Sequence, residues 1–117
     1  MEISGQAVLL RIFVGESDKI GHLPLFEAIV REARDAGLAG ATVLKGVLGY
    51  GATARIRTTK ILDISADLSM VVEIVDEESK IESFQATLSD LMEQANCGGL
   101  VTLENVRVIH YLPEKGG

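Results

Sequence analysis

Tryptophan is missing from this chain, and aromatic residues together make up only 4% of it. The core must therefore be aliphatic, and 117 residues with 47% hydrophobic content supply enough for one domain. A lone cysteine, Cys97, rules out an intrachain disulfide and fits a reducing compartment. No apolar run approaches the ~18 residues of a membrane span, so direct membrane insertion is not expected. The N-terminal MEISGQ lacks the basic and apolar regions of a signal peptide. Positive charge is in short supply, and a net charge of −6 argues against nucleic-acid binding. His22 and His110 lie far apart without an acid or nucleophile partner, and no Cys/His cluster has metal-ligand spacing. Cys97 follows a helical segment instead of opening one, where its pKa would fall. These absences lead to the expectation of a soluble, cytoplasmic, non-enzymatic domain over residues 1–117, with no required cofactor and no metal.

What is present alternates between strand-like and helical patterns. Gln6–Val14 is rich in aliphatic and β-branched residues and reads as a strand. Gly15-Glu16-Ser17-Asp18-Lys19 reads as a turn, and Pro24 suits the first turn of a helix. Phe26, Ile29, Val30, Ala33 and Ala36 follow at helical spacing, with Gly37 as C-terminal cap. Gly40–Leu48 is the second strand, and Ile61–Ser65 with Ser69–Val75 forms the third, irregular near Asp67. Asp76 is placed to cap a second helix, whose apolar stripe is Ile81, Phe84, Leu88, Leu91, Met92 and Ala95. Asn96-Cys97-Gly98-Gly99 ends that helix, Leu100–Leu112 contains the last strand, and residues 113–117 form a tail. The order βαββαβ predicts an α+β, ferredoxin-like sandwich, a four-stranded antiparallel sheet with both helices on one face.

The segment between the second and third strands, about residues 49–60, is roughly twice as long as an ordinary hairpin loop. It carries Gly49, Tyr50, Gly51, Arg55, Arg57 and Lys60. Gly49 and Gly51 could let backbone N–H groups approach a phosphate, or could supply a positive φ where the strand ends. Arg55 and Arg57 alternate, so an extended backbone points them the same way, toward a phosphate, an acidic partner or solvent.

The second row of the first strand, Ala7, Leu9, Arg11 and Phe13, is mostly apolar, although a solvated sheet face should carry polar residues. Lys45, Glu73 and Arg107 are expected on the same face. Subunits covering it in a closed ring account for this pattern. Arg11, Lys45 and Arg107 then either pair with Glu73 or line an anion cleft between subunits. Asp18, Lys19 and His22 precede the first helix and read as a capping loop, with anion binding the alternative.

Val43-Leu44-Lys45-Gly46-Val47-Leu48-Gly49-Tyr50-Gly51 resembles the V-K-G-x-G segment that precedes the long T-loop of PII signalling proteins. A family of small uncharacterised PII-like proteins is more similar still. The matching stretches are Gly15-Glu16-Ser17-Asp18-Lys19, Pro24-Leu25-Phe26, Gly37–Val43, Ile61-Leu62 to Ile74-Val75-Asp76, and Gly98–Val106, within about Ala7 to Tyr111. The resemblance implies a ferredoxin-like homotrimer that binds an adenine nucleotide (ATP, ADP, AMP or a cyclic nucleotide) in clefts between subunits. By matching motif, Gly46, Gly49, Tyr50 and Gly51 stand at the T-loop base, and Asn96-Cys97-Gly98-Gly99 sits where the B-loop would be. Lys45, Arg55 and Arg57 join Gly98 and Gly99 as candidate ligand contacts through their charge. The PII B-loop is longer and carries a basic residue, whereas this chain passes directly from Gly99 to Leu100. The arginine-bearing C-terminal segment of PII has no counterpart here. The implied partner is a protein such as a membrane transporter or channel. Two other readings are a ligand-independent oligomeric interaction module and a trimer like the divalent-cation-tolerance proteins that share this architecture.

Overall fold

The computed structural model describes residues 5–51, 56–58 and 67–113, with the backbone alone described at Arg57. Its main sheet contains β1 (Gln6–Gly15), β4 (Thr42–Lys45), β7 (Ser69–Asp76) and β8 (Leu100–Arg107) in the order β4-β7-β1-β8. Every neighbouring pair is antiparallel. Helices α1 (Leu25–Asp35) and α2 (Glu78–Gln94) cover one face. Two short hairpins complete the description, β2 (Lys19–Ile20) with β3 (Leu23–Pro24), and β5 (Leu48–Gly49) with β6 (Arg57–Thr58). This is the ferredoxin-like βαββαβ arrangement that the element order predicts.

Period-two alternation on β1 and β7 builds the core. Val8, Leu10, Ile12 and Val14 are buried together with Met70, Val72 and Ile74 from the neighbouring strand. Leu25, Ile29 and Ala33 of α1 and Ile81, Phe84, Leu88 and Leu91 of α2 close over them. Burying each of the larger side chains contributes roughly 1.5–3 kcal/mol, so this aliphatic layer with one phenylalanine drives folding.

Both helices end in the same way. Gly37 has φ 79°, and the amides of Gly37 and Leu38 donate to the carbonyls of Arg34 and Ala33. After α2, Asn96 takes φ 51°, and the amides of Asn96 and Cys97 donate to Glu93 and Met92. Each is a Schellman closure, with glycine in one and asparagine in the other at the left-handed position. At its start α1 is organised by backbone, since the Leu25 amide donates to the Asp18 carbonyl at 2.8 Å. The capping-loop reading of the Asp18 turn is thus correct for its main chain, and His22 is exposed.

The structure corrects several expectations. The second strand runs only over Thr42–Lys45, because the Gly46 amide turns in to donate to the Ser69 carbonyl at 2.8 Å. Pairing then resumes in the excursion, with Leu48 opposite Thr58 and Gly49 opposite Arg57. The last strand, Leu100–Arg107, does lie within the segment expected to contain it. Residues 61–65, expected as the start of the third strand, lie outside the described residues. Asp76 does not cap α2. Glu77 occupies the N-cap, while the Asp76 carboxylate accepts from the Ala39 amide at 2.8 Å and the Glu77 amide at 2.7 Å. Lys45 pairs with Met70 and Arg107 with Gln6, which puts both in rows facing the helix side. Of the three charges expected beside Arg11 on the open face, Glu73 alone is there.

Candidate functional site

Strands β1 and β4 finish at the end of the sheet where β7 and β8 begin. Gly15 lies opposite Ser69, Lys45 opposite Met70, and Phe13 opposite Leu100. This topology collects Gly15–Asp18, Lys45-Gly46, Asp67–Ser69 and Cys97–Gly99 at one end of the sheet. A network of hydrogen bonds holds them. Asp18 Oδ2 accepts from the Gly15 amide at 2.7 Å, and Asp67 Oδ1 accepts from the Ser17 amide at 2.8 Å. The Glu16 amide donates to the Leu68 carbonyl, also at 2.8 Å. Cys97 Sγ donates to Asp18 Oδ2 at 3.2 Å and accepts from the Gly99 amide at 3.3 Å. Partial burial, followed by the Asp18 carboxylate, pushes the Cys97 thiol pKa upward.

Gly46 and Gly99 both make close backbone approaches. A Cβ on Gly99 would collide with the Phe13 carbonyl oxygen, and one on Gly46 would stand 3.3 Å from the Ser69 carbonyl oxygen. Gly49, Gly51 and Gly98 face open space, and none has a left-handed φ. The positive-φ explanation for Gly49 and Gly51 therefore does not hold. Gly49 is half-buried and pairs with Arg57, Gly51 is exposed, and Tyr50 between them is 71% exposed.

Lys45 Nζ lies 2.8 Å from Glu16 Oε2. Sequence reasoning did not pair these residues, and it also missed the contacts of Asp18 and Asp67. Gly15-Glu16-Ser17-Asp18 carried a turn signal, but its neighbours are set by strand order. Lys45-Gly46 end the outer strand β4, whereas Gly98-Gly99 lead into the opposite outer strand β8. Two strands lie between, so the segments are on the order of 14 Å apart at ordinary strand spacing. Arg55 and Lys60 lie outside the described residues, and Arg57 is located by its backbone pairing with Gly49.

Among the described residues in and just before the excursion, several apolar side chains are exposed. Val47 and Leu48 are each 66% exposed and Ile56 is 64% exposed. Leu100, Val101 and Leu103 are exposed at the opposite edge, beside a groove of about 560 Å³ between α2 and β8. On the helix-free face, Arg11 Nε pairs with Glu73 Oε2 at 2.8 Å, and Arg11 Nη1 lies 3.6 Å from Glu104 Oε1. The salt-bridge reading of Arg11 and Glu73 is the one observed. Among the described residues, no group of three or more His, Cys, Asp or Glu is arranged to hold a metal ion, and no helix is long and apolar enough to cross a membrane.

The family model of DUF190, described as Uncharacterized ACR, COG1993, matches residues 7–108. The chain belongs to the DUF190 family. A UPF0166 protein of Aquifex aeolicus is 41% identical to this DUF190 chain over 102 residues, 87% of the chain and 92% of the relative. A UPF0166 protein of Methanocaldococcus jannaschii is 30% identical over 103 residues, with 88% and 92% covered. Among solved structures, CPII of Thiomonas intermedia K12, a nitrogen regulatory PII-like protein bound to ADP, AMP and bicarbonate, superposes with TM-score 0.58. Identity is 16%, and 88% of each chain is covered. A Thermus thermophilus protein described as a putative PII-like signaling protein gives TM-score 0.59 at 17% identity, covering 93% of this chain and 94% of that one. The DUF190 chain therefore has the PII-like, ferredoxin-type fold.

Proposed function

We propose that this chain is a non-enzymatic PII-like signalling protein of the cytoplasm, a single domain that assembles as a homotrimer. It takes an adenine nucleotide (ATP, ADP, AMP or a cyclic nucleotide) or a similar small anion between subunits. Its 49–60 excursion then contacts a protein target such as a membrane transporter or channel. The observation that carries this reading is the separation of the two glycine segments. Lys45-Gly46 and Gly98-Gly99 share one end of the sheet but lie at opposite edges. A ligand touching both segments fits between neighbouring chains, where one subunit's β4 edge meets the next subunit's β8 edge.

The apolar open face around the Arg11–Glu73 pair and the exposed leucines of β8 support assembly. The bound ADP and AMP of CPII support an adenine nucleotide as ligand. In the proposed site Gly49, Gly51 and Gly98 offer backbone N–H groups. Gly46 and Gly99 let the chain approach closely while their own amides hold the Ser69 carbonyl and Cys97 Sγ. Lys45, Arg55 and Arg57 offer charge, and Tyr50 offers a surface for the base. Ligand binding shifts the excursion toward the form that the target recognises, provided that form binds ligand more tightly.

The test is a thermal-shift titration with ATP, ADP, AMP and cyclic nucleotides, paired with light scattering of the eluted protein. A ligand confined to the folded state adds ~2.7 kcal/mol at a hundredfold excess over its dissociation constant. The expected result is a dose-dependent rise for one nucleotide with a trimeric mass. A trimer without any shift at millimolar nucleotide favours a ligand-independent interaction module, and a monomeric mass sinks the proposed site.

A further inference from the structure

The cation at the end of β4 is already engaged. Lys45 Nζ is 2.8 Å from Glu16 Oε2, and the backbone presents Glu16 for that contact. Glu16 follows β1, but its amide donates to the Leu68 carbonyl just ahead of β7. Its side chain thereby reaches past β7 to β4, the next strand out. The turn carrying it is held by Asp18 on the Gly15 amide and by Asp67 on the Ser17 amide. These acids bring three negative charges to the end of the sheet where Lys45 brings one positive charge. An anion approaching Lys45 meets a neutralised ammonium in an acidic setting.

We propose that Glu16 is an internal competitor for the ligand anion, and that exchange of Lys45 from Glu16 to the ligand sets the affinity of the site. This rests on the reading of Lys45 as a ligand contact. The pair is part-exposed, and such pairs are weak in water, so Glu16 is a latch that a phosphate displaces readily. Its effect is on the threshold concentration for binding. The stability of the fold does not depend on it.

The experiment is calorimetric titration of ADP into the wild-type protein and into Glu16→Gln, Glu16→Asp, Lys45→Gln and the Glu16→Gln/Lys45→Gln double variant, at low and high salt. Glu16→Gln is expected to bind ADP about two- to fivefold more tightly at low salt, with the gain shrinking at high salt. Glu16→Asp, one methylene shorter, gains less. Lys45→Gln binds more weakly, and in its background Glu16→Gln brings no gain. A gain of the same size in both backgrounds identifies general repulsion and overturns the competitor. Unchanged or weaker binding by Glu16→Gln, with wild-type binding intact, overturns it while leaving the nucleotide site standing. ADP binding that ignores Lys45→Gln removes Lys45 from the site. No ADP binding by any variant overturns the competitor proposal together with ADP as the ligand of the site.

Discussion

Asp76, at the last position of β7, is fully buried and bonded to the amide of Ala39, 37 positions earlier, at 2.8 Å. Its other oxygen holds the Glu77 amide at 2.7 Å. One carboxylate thus ties the connection between α1 and β4 to the junction where β7 turns into α2. Asp76→Ala leaves two amides without their partner and is expected to cost about 2–3 kcal/mol. Asp76→Asn keeps one carbonyl acceptor and costs less. Urea unfolding of the two variants reads the difference, and equal stability of Asp76→Ala and wild type would refute the tie.

Neighbouring glycines should respond oppositely to the same change. A methyl group at Gly99 collides with the Phe13 carbonyl oxygen, where β8 first pairs with β1, whereas one at Gly98 meets nothing within 4 Å. Gly99→Ala is expected to destabilise by about 3 kcal/mol through forced backbone movement. Gly98→Ala should stay within about 0.5 kcal/mol of wild type. Thermal melts distinguish the two.

Arg11 and Glu73 have side chains that are 33% and 29% exposed, within an apolar row that no helix covers. Left in water, such a pair contributes at most about 1 kcal/mol, and its loss would not alter the molecular mass. Covered by a neighbouring subunit, Arg11→Ala leaves Glu73 uncompensated and weakens the assembly. The expected outcome is a lower mass by light scattering at micromolar protein, with assembly recovered in Arg11→Leu/Glu73→Leu.

The Cys97 thiol should react slowly. Burial and the Asp18 carboxylate raise its pKa, so less thiolate is available near neutral pH. Its reaction with a disulfide reagent is expected to titrate at higher pH than in the unfolded chain, and Asp18→Asn should shift the profile downward. For stability the sign follows from the raised value in the folded state. The thiol's contribution is complete below the unfolded pKa and is lost as pH rises through the folded one.

Substitutions in the excursion should separate stability from recognition. Tyr50 and Ile56 are 71% and 64% exposed, so replacing either by serine should change stability by no more than about 0.5 kcal/mol. Target binding, measured with the purified partner, is expected to fall for both. Unaltered binding would move the contact surface away from the excursion.

Element order, the helix-facing row Val8–Val14, the Gly37 cap and the unusual excursion from about residue 49 are legible in the amino-acid sequence. These features depend on local periodicity and on backbone freedom at single residues. Which distant groups meet is settled only when the strands and helices pack. Lys45 and Arg107 face the helix side, Asp76 bonds Ala39, Glu16 reaches Lys45, and Gly99 is pressed against Phe13. Alternation tells a reader which residues share a row within one strand. It does not align the rows of separate strands, because register is set across the sheet and a one-residue step exchanges the faces.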